Sequence, residues 1–563
     1  MSPAPARVQK DLELRLSDGT VLRADVYRPA DDAPSPVLLQ RTPYDKALYG
    51  QLGAFYTDAG YTFAIQDVRG QHSSEGTFEP FVHEGSDGVE AVAWAAALPG
   101  TTGRVGMVGT SYQATCAWQA AVRQPPALAA LACAVTPVDY HADWFFPGGA
   151  FALAFATTWL LHNVANTAAA RLSDGPALSE GMNAAYDSLS ERWYSYLPLR
   201  DFPPLLPDRT DVAPYFFSWI NEHPLRDSYW QELSLRPRIA DVTIPVLNVA
   251  GWYDVFVGAG ADAFERLRSA GNTASRLVVG PWGHNTWATS LGDVDFGPDA
   301  GFSFPGAVVA WMDEHLRTPA RSVGTSEPVR YFSMGDRSWR TATQWPPADS
   351  APTSLHLAPA GRLNTVTAAP DVDEFVYDPA NPVPSVGGHS CCFAPTSPIG
   401  PYDQREVERR PDVLVYSTGL LTAPVEIAGP VRVELYAAST ATDTDFTAKL
   451  VDVHPDGRAI NLGEGIVRAR HRGGTDRAEP LVPGEVTRFD IELHPTANVF
   501  GAGHRIRLEI SSSNFPAYDR NPNTGAAFGQ DTRLRSARQT VHLGGEHASR
   551  LVLPVLGDLN GLG

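Results

Sequence analysis

RVGMVGTSYQATCAWQAAVR, residues 104–123, is the stretch on which the reading of the chain turns. Val105, Met107 and Val108 form a short apolar run edged by Gly106 and Gly109, and from Tyr112 to Arg123 the residues Ala114, Ala117, Trp118 and Ala121 recur at three- and four-residue spacing. The pattern predicts a strand, a tight turn and a helix, with Ser111 at the turn. A sharp reversal there lifts the hydroxyl above the sheet edge and sets it beside the helix N-terminus, whose free N–H groups favour developing negative charge. Ser111 is therefore a candidate nucleophile. The stretch departs from G-x-S-x-G, because Gln113 takes the second position after Ser111 and the small residue, Ala114, comes one later.

Outward from this unit, short apolar strands alternate with helices. Leu12 to Leu16 and Val21 to Tyr27 alternate around Ser17-Asp18-Gly19 as a hairpin. Pro36 to Gln40 reads as a buried strand that runs into Arg41-Thr42-Pro43-Tyr44-Asp45, and Thr62 to Gln66 as the next, followed by a turn at Asp67 to Gly70. Val89 to Leu98 is an apolar helix and Leu131 to Val135 a further strand. Such alternation predicts a mostly parallel sheet covered on both faces. From Trp144 to about Leu235 the strand rhythm stops and Trp, Phe, Ala and Leu take helical spacing, as in GGAFALAFATTWLLHNVANTAAARL. Strands return at Ile244 to Ala250, ending in Gly251-Trp252-Tyr253-Asp254, and at Leu277 to Gly280, ending in Pro281-Trp282-Gly283-His284; a helix around Ala307 to Leu316 closes the unit. Beyond Pro346, segments such as VRVELYAA alternate with period two between Pro- and Gly-rich loops, which predicts a β-sandwich of the jelly-roll kind. The expected division is an α/β unit at 1–143 and 241–347, a helical cap at 144–240 and the jelly roll at 348–563.

Composition sets the outer limits. A chain of 563 residues exceeds one core and suits roughly three folding units. With 44 basic against 63 acidic residues the net charge is −19, which leaves no electrostatic footprint for nucleic acid or an anionic membrane. The N-terminal MSPAPARVQK lacks the apolar core of a signal peptide and no later window is long enough to span a bilayer, so a cytoplasmic protein is expected. Four cysteines are too few to staple such a chain and lack paired metal-ligand spacing. Cys116 and Cys133 read as small apolar side chains, and the adjacent Cys391 and Cys392 as a pair that strain discourages from bonding to each other.

A serine hydroxyl needs a base to take its proton and a third group to orient that base. His284 and Asp254 each follow a predicted strand, so a parallel sheet puts both on the C-terminal edge that carries Ser111. The order Ser, Asp, His is that of α/β-hydrolases. His72, His83, His141 and His315 lack this placement, and Asp67, at another strand end, reads as a turn residue or an ion-pair partner of Arg69. For the oxyanion, the Tyr112 backbone N–H follows directly from position, and Tyr44, after the strand Pro36 to Gln40, is a candidate second donor.

At these residues the chain resembles the cocaine esterase branch of the Xaa-Pro dipeptidyl-peptidase-like serine hydrolases. The resemblance rests on Gly109-Thr110-Ser111-Tyr112, Arg41-Thr42-Pro43-Tyr44-Asp45, Gly251-Trp252-Tyr253-Asp254 and Gly280-Pro281-Trp282-Gly283-His284, and extends to Asp443–Leu450 and Ser511–Pro516. It implies an α/β-hydrolase domain with a helical cap and a C-terminal jelly roll. It further implies Ser111 as nucleophile, His284 as base, Asp254 as orienter, Tyr44 and Tyr112 as oxyanion hole, and Trp144, Trp159, Phe256 and Phe393 around the acyl group. Ala114 stands where relatives usually have glycine. The expected activity is hydrolysis of a small-molecule carboxylic ester with an aromatic or bulky acyl group, through an acyl-enzyme and without metal or organic cofactor; a homodimer is compatible with it. A dipeptidyl-peptidase or α-amino acid ester hydrolase would need carboxylates for the substrate ammonium, and here Val255, Phe256 and Val257 follow Asp254, leaving Asp143 alone. A non-catalytic jelly-roll binding protein is the third reading.

Overall fold

The computed structural model describes residues 7–31, 33–284, 287–317, 327–391 and 397–557. Its first sheet contains β1 (Arg7–Arg15), β2 (Val21–Arg28), β3 (Ser35–Thr42), β4 (Thr62–Asp67), β5 (Thr101–Thr110), β6 (Leu128–Ala134), β7 (Val246–Gly251) and β8 (Arg276–Gly280). Their order is β1-β2-β4-β3-β5-β6-β7-β8, parallel from β4 to β8, with β1 and β2 antiparallel at one edge. The parallel strands are apolar on both sides because helices cover both faces. On β5, Val105 and Met107 point into the core that holds Trp118 and Ala91, and Val108 into the opposite core with Tyr56 and Met312. Helices α1 (Gly50–Asp58), α2 (Glu84–Ala96) and α3 (Tyr112–Ala121) supply these layers, together with Phe304–His315.

The sheet runs further than the sequence pattern indicates. Val329–Ser333 pairs parallel with β8 and antiparallel with Ser338–Ala342, adding two strands beyond the helix expected to close the unit. Their polar alternation hid them: Arg330 lies over the Trp339 ring, 4.1 Å from its centroid, so a charged residue covers an aromatic one at the sheet edge.

Between Tyr140 and Asp241 the chain forms short helices, among them Leu153–Trp159, Gly175–Asp187 and Pro214–Asn221. They pack around Phe145, Phe216, Trp219 and Trp230, all buried in a core continuous with that under α2 and α3. From Ser350 onward the elements are strands, apart from short 3-10 turns at Val407–Arg409, Ala469–His471 and Gly545–His547. Val425–Ser439 and Thr487–Phe500 form a long antiparallel pair in which Val431, Val433 and Leu435 face Leu493, Ile491 and Phe489. These three are buried, while Arg432 is exposed and Glu434 is held by Arg550 at 2.7 Å. Cys116 and Cys133 are free and buried. Cys391 is disulfide-bonded, a bridge that the cysteine count did not lead us to expect; Cys392 lies outside the described residues. Among the described residues no helix is long and apolar enough to cross a membrane.

Candidate active site

Between β5 and α3 the backbone of Ser111 is held at φ 56° and ψ −127°, a conformation that side-chain-bearing residues seldom adopt. Two bonds hold it there: its N–H donates to Ala134 O at 2.9 Å, and its carbonyl accepts from Thr115 N at 3.0 Å. Gly109 makes the turn feasible, because a Cβ at that position would lie 2.6 Å from the Gln113 carbonyl carbon and 2.8 Å from Ala114 N. Every residue of α3 is buried, Ala114 included, so the helix is a fixed base and the extra methyl is absorbed into the core.

Asp254 follows β7 and His284 follows β8. The Asp254 Oδ1 accepts the Phe256 N–H at 2.8 Å, and its Oδ2 bonds to His284 Nδ1. His284 Nε2 lies 2.9 Å from Ser111 Oγ. A proton on Nδ1, shared with the carboxylate, leaves Nε2 as acceptor for the Ser111 hydroxyl. Asp254 is inaccessible to solvent and His284 nearly so, hence little water competes for these bonds. Trp282 fixes the approach of His284: its indole N–H donates to Ala300 O at 2.7 Å, and a Cβ on Gly280 would meet its ring at 2.3 Å.

Tyr44 reaches the same point from the end of β3. Its N–H donates to Thr42 Oγ1 at 3.1 Å, its hydroxyl accepts the Trp159 indole N–H at 3.0 Å, and the phenol stands beside the Ser111 side chain. Burial raises the phenol pKa well above its ordinary value, so the hydroxyl keeps its proton to donate. The Tyr112 side chain turns inward, accepting from Phe81 N at 2.9 Å and donating to Glu84 Oε1 at 3.1 Å. Its backbone N–H is the first of α3 and has no acceptor within the helix.

An aromatic wall stands beside His284. Trp144 meets Trp159 edge-on with centroids 4.9 Å apart, meets Phe256 at 5.4 Å, and stacks on Phe155 at 5.0 Å. Phe256 and Phe155 in turn lie 5.6 Å and 6.4 Å from the His284 ring. The structure thus brings Trp144, Trp159 and Phe256 together; Phe393 lies outside the described residues. Phe155 was missed, although it precedes Trp159 by four residues on one helix and so shares its face. Gln113 was missed as well. Its amide donates to Thr42 Oγ1 at 3.3 Å and to the Tyr49 hydroxyl while its Oε1 faces the Thr110 N–H and hydroxyl, tying the serine turn to the Tyr44 loop.

The competing residues are occupied elsewhere. His72 and His141 face the carbonyls of Pro43 and Pro224, His315 packs on Trp311, and His83 precedes α2. Asp67 closes its turn by accepting from Lys46 N and from Ser73, whereas Arg69 pairs with Asp87 and Asp18, so the ion-pair alternative for Asp67 fails. Asp143 is engaged with Arg236 at 2.7 Å and with the N–H groups of Val138 and Asp139. A cavity of about 930 Å³ borders the wall at Trp144, Phe155 and Val255; Ser111, Tyr44 and His284 are not among its lining residues.

A serine turn at the C-terminal edge of a parallel sheet, with a buried imidazole and carboxylate behind it, defines an α/β serine hydrolase. Comparisons with known proteins agree. Residues 18–286 match the X-Pro dipeptidyl-peptidase (S15 family) model, and residues 322–552 match that of the X-Pro dipeptidyl-peptidase C-terminal non-catalytic domain. Cocaine esterase of Rhodococcus sp. (strain MB1 Bresler) is 37% identical over 98% of each chain. The solved structure of an alpha-amino acid ester hydrolase superposes with a TM-score of 0.81 at 25% identity, covering 98% of this chain and 97% of that one. An aminopeptidase from a marine sediment Thaumarchaeota archaeon has the same fold, with a TM-score of 0.83 at 24% identity over 99% and 98% of the two chains. The chain belongs to the cocaine esterase branch of the X-Pro dipeptidyl-peptidase (S15) family, and it is a serine ester hydrolase.

Proposed function

We propose that the chain hydrolyses small carboxylic esters with an aromatic or bulky acyl group through a covalent acyl-enzyme on Ser111. The carrying observation is the contact of 2.9 Å between Ser111 Oγ and His284 Nε2, with Asp254 on the other ring nitrogen. Ser111 Oγ attacks the ester carbonyl as its proton passes to Nε2. The Tyr44 O–H and the Tyr112 N–H receive the oxyanion. Collapse of the tetrahedral intermediate expels the alkoxide, which takes the proton from Nε2, and leaves the acyl group on Ser111. Water, deprotonated by His284, then repeats the sequence and releases the acid. Asp254 stabilises the imidazolium in both halves without taking its proton.

Two observations support the choice of acyl group. Trp144, Trp159, Phe155 and Phe256 pack on one another beside His284, so an acyl ring entering there would meet apolar surface and edge-to-face partners. Asp143, the one carboxylate available for a substrate ammonium on the sequence reading, already neutralises Arg236. We also retain the division into 1–143, 144–240, 241–347 and 348–563 as our reading of the domains. The test is a panel of benzoyl, acetyl and α-amino acyl esters of one alcohol, together with an organophosphonate probe. We expect stoichiometric labelling at Ser111 and a benzoyl preference of about tenfold or more in kcat/KM, equivalent to about 1.4 kcal/mol. Equal rates for acetyl and benzoyl esters would reject the aromatic pocket. A preference for the α-amino ester would move the family's amino-ester chemistry ahead.

A further inference from the structure

In the C-terminal third, nearly every buried carboxylate is met by an arginine or lysine. Asp445 and Asp519 share Arg468, Asp443 takes Arg470, Glu434 takes Arg550, Asp412 takes Arg410, and Glu509 faces Lys449. Among the described residues two buried acids there, Glu464 and Asp452, have histidines in that place. A buried carboxylate without a permanent cation is costly; the Asn498 amide donates to Asp452 at 3.4 Å and the His389 N–H to Glu464, and a protonated imidazole or a bound ion would offset the remaining cost.

Ring geometry separates the two cases. An imidazole binds a metal through a lone pair that lies in the ring plane, so an ion shared by two rings must sit where their planes meet. Beside Glu464, the rings of His389 and His494 stack at 3.7 Å with 7° between their planes. Planes so nearly parallel do not meet near the nitrogens, and no ion can take both. Beside Asp452, the rings of His454 and His504 lie 4.6 Å apart and inclined by 46°. Their planes intersect close by.

We propose that Asp452, His454 and His504 form a binding site for a divalent transition metal of the zinc type. Their ligand atoms all lie within 4.8 Å of one another. His504 Nδ1 is 2.7 Å from Asp452 Oδ1, and His454 Nε2 is 4.0 Å from Oδ2. Tetrahedral zinc with bonds near 2.0–2.1 Å separates its ligand atoms by about 3.4 Å, so the His504 hydrogen bond to Asp452 must open by about 0.7 Å and His454 must close by about 0.6 Å. It has the freedom to do so, because its side chain is 30% exposed at the mouth of the site, above a carboxylate that is 4% exposed. The ligand set of two imidazoles and one carboxylate selects zinc or nickel over magnesium or calcium, and the open mouth leaves the fourth position to water. The three residues come from two neighbouring segments. Asp452 lies on Asp445–Val453 and His454 opens the turn to Arg458, while His504 precedes Arg505–Ser511, the strand paired with the first. A bound ion would clip the turn to the adjacent strand.

The experiment is calorimetric titration of tag-free, EDTA-dialysed protein with ZnCl₂ at pH 7.5, repeated with CoCl₂ for its visible absorption. One-to-one binding is expected, with the intense d–d bands of four-coordinate cobalt and a higher melting temperature in zinc. His454→Ala and His504→Ala should each weaken zinc binding at least tenfold, while ester turnover and circular dichroism stay at wild-type level and so exclude misfolding. Failure to see saturable binding up to about 1 mM zinc would overturn the proposal. So would unchanged affinity in both single variants, because the metal would then reside elsewhere.

Discussion

Replacing Tyr44 by Phe removes one oxygen atom and tests two structural statements at once. The Tyr44 hydroxyl accepts the Trp159 indole N–H at 3.0 Å, which leaves its own proton free to point at the Ser111 side. Loss of one preorganised donor to an oxyanion costs about 10²–10³ in kcat, or about 2.7–4 kcal/mol. The donor acts on charge that exists only after attack, so KM should change by less than about threefold. The same substitution strands the Trp159 N–H, and Trp159 is buried at 2% exposure. An unpaired buried donor costs about 1–3 kcal/mol, so the variant should also unfold at lower urea. Trp159→Phe separates these effects, since it deletes the N–H but leaves the phenol to donate. Its kcat on an acetyl ester, which makes little use of the wall, should fall by less than about tenfold. Steady-state kinetics with that ester and urea melts of both variants are sufficient. A kcat for Tyr44→Phe within fivefold of wild type would refute the oxyanion role. Equal kcat losses in the two variants would assign the effect to packing around the hydroxyl instead.

Three further outcomes follow from the geometry. Ser111→Ala and Ser111→Gly should both lose several powers of ten in turnover, yet the glycine variant should be more stable than the alanine one by about 1 kcal/mol in urea melts, because alanine retains a Cβ at φ 56°. Phe155→Ala should narrow the benzoyl-to-acetyl ratio in kcat/KM by about threefold or more, since Phe155 stacks on Trp144 at 5.0 Å; a ratio that stays constant would remove Phe155 from the acyl wall. Burial lowers the His141 pKa to about 4, so the unfolded chain, titrating near 6.5, binds the additional proton between these values. Stability therefore declines as the pH falls from 6.5 to 4, by about 3 kcal/mol from this group. His141→Gln, which retains a donor for Pro224 O, should flatten that part of the pH dependence in melts at pH 7 and 4.5, and an unchanged slope would contradict the burial argument.

What could be read from the sequence depended on whether a signal was local. The parallel strands were legible because apolar runs such as Val246–Gly251 are buried on both faces, and a glycine-rich turn at their C-terminal ends marks where side chains emerge. Ser111, Asp254 and His284 each stand at such an end, so one rule about strand direction was sufficient to list them together. The strands Val329–Ser333 and Ser338–Ala342 escaped because both are short and interrupted by arginines, of which Arg330 is satisfied by stacking on Trp339. Gln113 and Phe155 escaped for a different reason. A glutamine after a serine and a phenylalanine in an aromatic helix carry no distinguishing pattern, and their importance comes from what the fold sets opposite them: Thr42 and Tyr49 for the first, Trp144 and the His284 ring for the second. The same holds for Asp452, whose histidines lie two and fifty-two positions away and meet it through strand pairing. Chain order can thus nominate candidates for the reacting atoms, since turns at strand ends place them. Gln113 and Phe155 are instead placed by packing between distant segments, and the three-dimensional structure displays that placement.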